Sequence, residues 1–388
     1  MRFLFAIIFI YYTYVATNNC CKYFNKKEQC ITMDRIQKFR DLAVSMNLEN
    51  AIIKNPISIF YLTSGEANEG TLLITNDKAY LFVNLNSYKY VKENVKSENI
   101  NVIMTQGDEI QRIKKIISSE AVFIEKEYLT SFEFDSLMNS KTLNIQDGNR
   151  LDFILEKLQM IKDNDEIDYI SKSQKISEDA LSETLKMIKE GVSEKDIAYN
   201  LRLNMCKFGS EKEAFRASVS AGKHTTSPHW NPTGYNIKKN DIILIDMGSI
   251  YNGYCSDMTR IICIGNPTEE MKTVYNHCLN LHNIILENCI KGNEIMNIYL
   301  EYKKYCDKYL GKYTVYFNAG HAIGLKVHQT PILNQFYLRY ILQDNMVLAI
   351  EPQIIANDFG IRIENLIQIN GSSPKLLSNY KYDEIIVV

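Results

Sequence analysis

The sequence predicts two domains: an α/β domain, then a charged helical linker leading into a second domain whose apolar strands deliver isolated carboxylates. Three observations carry this. The chain has 388 residues, more than one hydrophobic core commonly organises. Between Met33 and about Asp147, short apolar runs alternate with helical periodicity, the pattern of a buried sheet covered by helices. Residues 148–190 are strongly helical and charged, and after Phe208 the texture changes to strand-like runs carrying single Asp, Glu and His residues.

Hydrophobic residues make up 46% of the chain and charged residues 23%, as in ordinary globular proteins. The net charge is −2 and no long basic run occurs, which argues against a nucleic-acid partner. There are nine cysteines but no Cys-x-x-Cys pair, so a structural zinc site is not expected. Scattered cysteines of this kind act as small buried hydrophobes in a reducing compartment. Residues 1–32 form an N-terminal extension. Arg2 and the apolar run Phe3–Ala16 look like the basic and hydrophobic parts of a secretory signal. The run falls short of the ~18 residues that span a bilayer, so no stable membrane span is expected. No small-x-small cleavage site follows, and Met33-Asp34-Arg35-Ile36 begins an amphipathic pattern. We read 1–32 as an over-extended start and the protein as cytoplasmic, with export as the alternative.

The first domain is expected over 33–150. A helix over Asp34–Met46 places Ile36, Phe39, Leu42 and Ala43 on one face. Strands are expected at Ala51–Ile53, Thr71–Thr75, Ala79–Val83, Ile100–Met104 and Ala121–Ile124, with a helix at Glu109–Ile117. This domain contains no histidine and no chemical motif, and is read as a lid, a dimerisation element or a wall of the site. The second domain is expected over 151–388. It opens with helices at Arg150–Ile161, Asp163–Lys189 and Ser193–Phe208, the last starting with a capping pattern.

A strand over Phe215–Ser220 and a turn at Ala221-Gly222-Lys223 lead to Pro228-His229-Trp230. A lone loop histidine is usually polar surface. Ile242–Ile245 then delivers Asp246, Asn252-Gly253 signals a hairpin, and the returning strand carries Asp257, Thr259 and Arg260. Two aspartates on such a hairpin either cap turns or share a metal ion, since facing carboxylates at buried strand ends repel. Helices at Glu269–Leu286 and Asn293–Leu310 carry His277 and His282, both read as packing. His321 and His328 lie in a glycine-rich stretch, an apolar strand Met346–Glu351 ends in Glu351-Pro352, and Gly360–Asn365 puts Arg362 and Glu364 on one face and isoleucines on the other.

Asp246, Asp257, Glu351 and Glu364 are hard oxygen donors, and His321 adds an imidazole. That set suits two divalent ions such as Mn²⁺, Co²⁺, Fe²⁺ or Zn²⁺ rather than a thiolate site. Read as motifs, Ile-Asp-Met-Gly, Ser-Asp-Met-Thr-Arg, Gly-His-x-x-Gly, Ile-Glu-Pro and Arg-Ile-Glu, in this order, resemble the metal-dependent peptidases of the pita-bread (creatinase-type) fold, which include methionine aminopeptidases, aminopeptidase P and prolidase. The resemblance covers the chain from about residue 160, and the first half is similar to the N-terminal domain of the proline-specific branch. It implies an α/β N-terminal domain plus an α+β C-terminal pita-bread domain. His229, His328 and Arg362 match further positions of that branch. Ala322 and Gln329 depart from its usual Gly and Glu, Phe317 from a histidine found in many prolidases, and Asn365 from a common Asp.

The resemblance further implies a metallopeptidase that hydrolyses the Xaa-Pro bond at the N-terminus of dipeptides or short peptides through a hydroxide bridging two divalent ions, manganese first among them. Asp257 and Glu364 would bridge the ions, Asp246 would complete one site, and His321 and Glu351 the other. Glu351 would shuttle the proton, His328 and His229 would hydrogen-bond the carbonyl and oxyanion, Arg362 would orient a carboxylate, and Thr259 would support the water. The expected partners are short proline-containing peptides and a second copy in a homodimer. The alternatives are a general aminopeptidase of the same fold, a metal-free creatinase-like hydrolase and a non-catalytic scaffold.

Overall fold

Asp34 caps the first helix with its own side chain, which accepts from the Ile36 amide, and the helix buries Ile36, Phe39 and Ala43 as the periodicity predicts. The computed structural model describes residues 34–388 apart from 119, 140, 141, 147, 148 and 316, so the expectation for residues 1–32 lies outside the described residues. In chain order the first domain runs α1 (Arg35–Ser45), β1 (Ala51–Ile53), α2 (Pro56–Leu62), β2 (Thr71–Ile74), β3 (Ala79–Asn84), α3 (Leu85–Asn94), β4 (Ile100–Thr105), α4 (Glu109–Ile117), β5 (Ala121–Ile124), α5 (Ser131–Asn139), β6 (Asn144–Gln146) and α6 (Asn149–Met160). Its mixed six-stranded sheet has the order β4-β3-β2-β1-β5-β6. Both β1 and β2 are buried at every residue, which is why they read as unbroken apolar runs. The apolar cluster under this sheet continues through Leu151, Ile154 and Leu155 of α6 to Tyr254, Ile323 and Val347 of the second domain.

Lys162 follows α6 and is 1% exposed. Its Nζ donates to Gln329 Oε1 at 3.1 Å and to the Met160 carbonyl at 3.3 Å, and among the described residues it forms no ion pair. Burial pulls its pKa down to about 8, against the opposing charge of Glu166. The folded state therefore binds this proton more weakly than the unfolded chain. The penalty is complete below pH 8 and is relieved as pH rises towards 10.5, by roughly 2–3 kcal/mol between pH 7 and pH 10. Lys162→Met, which does not titrate, should lose that much stability relative to wild type across the same interval. Denaturant unfolding of both proteins at the two pH values checks this; a difference that did not change with pH would refute it.

The second domain runs α7 (Asn164–Leu185), α8 (Glu194–Lys207), β7 (Ser218–Ala221), β8 (Ile242–Met247), β9 (Ile250–Tyr251), β10 (Tyr254–Cys255), β11 (Met258–Cys263), α9 (Glu269–Asn288), α10 (Ile295–Tyr309), β12 (Thr314–Val315), β13 (Asn318–Ala322), β14 (Gln329–Asn334), β15 (Val347–Ile350), β16 (Gln353–Ile355), β17 (Gly360–Arg362), β18 (Asn365–Gln368), β19 (Lys375–Leu376) and β20 (Ile386–Val387). A four-stranded sheet β20-β11-β8-β7 and a five-stranded sheet β14-β13-β15-β18-β19 face the site, with β12-β16-β17 beside them. The β9–β10 turn forms at Asn252-Gly253, both at positive φ (47° and 76°), as a two-residue hairpin requires. A Cβ at Gly253 would sit 2.9 Å from the Phe60 ring, so the hairpin tip also packs against α2. Among the described residues, no helix is long and apolar enough to cross a membrane.

Three sequence expectations shift. The strand expected at Phe215–Ser220 begins only at Ser218, and the helix expected to reach Lys189 ends at Leu185. The strand expected over Gly360–Asn365 is two strands: β17 pairs with β16, whereas β18 pairs with β15 in the other sheet. Glu364 stands at the changeover, and Ile361 and Ile363 still point into the core.

Candidate metal centre

Each predicted ligand comes from a different local device. Asp246 lies near the end of the fully buried β8, opposite Thr259 on β11 and Ser218 on β7. Asp257 lies between β10 and β11, and Glu351 directly follows β15. His321 sits on β13 directly after Gly320, whose φ is 147° and whose absent Cβ would lie 2.0 Å from the Ala349 carbonyl. Only glycine permits that approach, which presses β13 onto β15 and brings His321 beside the strand that ends at Glu351. Asp257, His321 and Glu364 are 4%, 3% and 1% exposed.

These side chains converge. Asp257, His321 and Glu364 each offer a ligand atom, all within 4.8 Å of one another. His321 Nε2 is 3.5 Å from Asp257 Oδ2 and 3.7 Å from Glu351 Oε1. Its Nδ1 lies 3.1 Å from the Ala322 carbonyl, which can only accept, so Nδ1 carries a proton and Nε2 faces the carboxylates. Thr259 Oγ1 donates to Glu364 Oε2 at 2.6 Å and itself accepts from Arg362 Nε at 3.0 Å. Arg362 Nη2 donates to Asp246 Oδ2, while its Nη1 lies 4.0 Å from Glu351 Oε2 and donates to the Pro228 carbonyl at 3.3 Å.

The electrostatics follow from crowding four carboxylates into a dry space. Burial, and then the charge of Glu364, holds Asp257 well above the usual carboxylate range. Burial lifts Asp246 to about 6 despite Arg362, and raises Glu351 and Glu364 as well. Burial would lower His321, but its contact with Asp257 and the charge of Glu351 outweigh it and push the imidazole up to about 9. Arg362 is the one fixed cation within ion-pair reach of these carboxylates among the described residues. Asp246 Oδ1 is buried without a hydrogen-bond partner. Excess buried negative charge, an orphaned carboxylate oxygen and an imidazole with its Nε2 turned inward fit hard divalent cations, and Asp246, Asp257, His321, Glu351 and Glu364 are the residues that could hold them.

The remaining predicted residues rim this cluster. His328 is exposed, with its ring 4.4 Å from that of His321 and nearly perpendicular to it (71°). Partial burial and the nearby charges of His321 and His229 lower its pKa to about 4, so it is neutral at pH 7. His229 is exposed and directly follows Pro228, whose carbonyl Arg362 holds. His277 and His282 stand apart, as expected: His277 Nδ1 meets Tyr305 Oη at 2.9 Å, and His282 is fully buried against Asn365. The four departures are accommodated. Ala322 supplies the carbonyl for His321 Nδ1. Gln329 is clamped between Lys162 and Gln159. Phe317 packs edge-on against Tyr299 and Tyr302. Asn365 Oδ1 accepts from Arg260 Nη2 at 2.7 Å, which turns its amide nitrogen towards His282 Nε2. Sequence reading missed Glu194 and His224. The capping pattern at Ser193 marks a helix start and carries no signal for the carboxylate next to it.

Comparison with known proteins agrees with this architecture. The model of metallopeptidase family M24 matches residues 168–371, and that of the creatinase/prolidase N-terminal domain matches residues 35–151. An Xaa-Pro dipeptidase of Pyrococcus horikoshii is 29% identical over 361 residues, covering 90% of this chain and 97% of that protein. The crystal structure of an X-Pro aminopeptidase from Thermotoga maritima superposes with a TM-score of 0.81 at 26% identity, over 92% of this chain and 100% of that one. An Xaa-Pro dipeptidase from Bacillus anthracis shares the fold, with a TM-score of 0.84 at 24% identity over 92% and 99% of the two chains.

Proposed function

The chain belongs to metallopeptidase family M24, and on that premise we propose that it hydrolyses the bond between an N-terminal residue and proline in dipeptides or short peptides. The observation that carries the proposal is the convergence of Asp257, His321 and Glu364, with Glu351 beside His321 and Asp246 held by Arg362, around negative charge that one arginine does not balance. We assign these residues as ligands of two divalent ions. Manganese is the first candidate, because the set is carboxylate-rich and has no thiolate. When bound, the ions supply Lewis acidity for the scissile carbonyl and lower the pKa of a water towards neutrality.

The chain's own groups do the rest. Glu351 is the least enclosed of the carboxylates, its side chain 16% exposed, which suits a group that takes a proton from water and returns it. Water adds to the carbonyl carbon, the C–N bond breaks, and the proton passed through Glu351 leaves with the proline nitrogen. His328 is neutral at pH 7 and offers an N–H to the carbonyl oxygen as charge develops on it. His229 offers a second from the facing loop. Arg362 fixes Asp246 and the Pro228 carbonyl at once, and Thr259 fixes one oxygen of Glu364. The substrate has its own logic. An Xaa-Pro bond has no N–H and a fixed φ, so a protease that docks its substrate as an added strand loses a donor there. A compact centre that grips the free amino terminus and the ring does not need that donor.

The aminopeptidase relative supports a second reading, cleavage of longer peptides. Elemental analysis of the purified protein, with rates on an Xaa-Pro dipeptide and an Xaa-Pro tripeptide, separates the cases. About two ions per chain and activity on the dipeptide are expected. Activity on the tripeptide alone would favour the second reading. A metal-free protein that hydrolysed either peptide would overturn the metal assignment.

A further inference from the structure

Glu194 is the first residue of α8, is fully buried, and its carboxylate collects five hydrogen bonds from one loop. Oε1 accepts from the Ala221 amide at 2.9 Å and lies 2.7 Å from His224 Nδ1. Oε2 accepts from Trp230 Nε1 at 3.1 Å, the Thr233 amide at 2.9 Å and Thr233 Oγ1 at 2.7 Å. The traffic also runs the other way: the Glu194 and Lys195 amides, two orphan donors of the helix start, bond the Tyr235 and Thr233 carbonyls. His224 stacks on Trp230 with ring centroids 4.1 Å apart and planes 20° from parallel, and Tyr235 closes its edge at 5.0 Å. Burial alone would raise the Glu194 pKa, but the bonds from His224, Thr233 and Trp230 outweigh it, so the carboxylate stays charged.

The segment gathered in this way, 221–233, is the one that carries His229. Its anchors to Glu194 at His224 and Trp230 bracket His229 on both sides. Its other attachments lead to the metal centre: Arg362 holds the Pro228 carbonyl, and Thr225 Oγ1 accepts from the Gly360 amide of β17. We propose that Glu194 is a positioning residue that, through His224 and Trp230, sets His229 over the metal centre for the reaction. This rests on the reading of His229 as a group that touches the substrate. A displacement of about 1 Å in such a group can cost 10²-fold in rate.

The test is a double-mutant cycle on Xaa-Pro hydrolysis by the metal-loaded enzyme. Glu194→Gln keeps the shape but presents an NH₂ to several donors that need an acceptor. It should lower kcat/KM by roughly ten- to a hundredfold in the wild-type background and by less than about threefold in a His229→Ala background. Metal content should not change. Trp230 is the only tryptophan of the chain, so its emission reports the loop directly and should move to the red with greater acrylamide quenching in Glu194→Gln. Equal fold-losses in both backgrounds would overturn the inference while leaving the role of His229 intact. Wild-type kcat/KM for His229→Ala would remove the reading beneath it. Should Glu194→Gln fail to fold, His224→Ala and Trp230→Phe, which each remove one anchor, enter the same cycle and must show the same loss of effect beside His229→Ala.

Discussion

Asp257→Ala and Glu364→Ala are each expected to abolish bound metal and peptide hydrolysis together. Both belong to the tightest group of ligand atoms in the centre, and removing either leaves His321 Nε2 without a carboxylate on one side. Losing a supporting hydrogen bond to a ligand typically costs 10–100-fold in metal affinity or activity, and losing the ligand itself should exceed that. Unfolding is the obvious competing explanation, and the charge balance of the site separates the two. In the metal-free protein, burial holds Asp257 far above the carboxylate range, so its ionised form penalises the folded state. A carboxyl with a raised folded pKa costs nothing below its unfolded pKa, and the cost grows as pH rises from the unfolded value to the folded one. Asp257→Asn should therefore be at least as stable as wild type when both are stripped of metal at neutral pH, and less stable when metal is supplied. His277→Ala, which touches Tyr305 away from the cluster, serves as the silent control. Full activity in either ligand variant would refute the proposed centre, and an apo Asp257→Asn that melted well below apo wild type would show that the aspartate builds the fold.

The parts of this protein that local chemistry dictates were legible from the residues. Asn252-Gly253 can hardly be anything but a two-residue turn, and Asp34 and Ser193 announce their helices because side-chain caps act within four residues. The proposed ligands are legible as motifs, and Asp246 and Glu351 each end an apolar run that would not otherwise finish in a buried charge. What stayed hidden depends on contacts far apart in the chain. The break between β17 and β18 cannot be seen in an alternation that continues unbroken through Glu364, because the choice of partner, β16 or β15, is made by strands elsewhere. Gln329 reads as a small departure beside His328. In the fold it is, among the described residues, the sole side-chain hydrogen-bond partner of the buried Lys162, 167 residues away. Glu194 and His224 are 30 residues apart, and the capping pattern that spans Glu194 carries no signal of the contact between them.

His328→Ala tests whether the rim of the site uses the metal or merely holds it. The imidazole stands beside His321 but faces outwards, and it is assigned to the reacting carbonyl and to neither ion. Metal content should therefore stay at the wild-type level. Losing one oxyanion donor typically costs about 10²–10³ in kcat, roughly 3–4 kcal/mol of transition-state stabilisation. The loss should fall on kcat rather than KM, because a hydrogen bond from a neutral imidazole strengthens as charge gathers on the oxygen. His229→Ala should behave similarly, with a larger share in KM if it also contacts the bound peptide. Gln329 adds a check on the cause. Its clamp to Lys162 and Gln159 holds the backbone next to His328, so Gln329→Ala should give a weaker version of the same kcat loss, again with metal retained. If His328→Ala shed its metal, the histidine would be a ligand and the assignment of the ligand set would fail. Near wild-type rates on every Xaa-Pro substrate would make His328 structural, leaving His229 to account for the oxyanion.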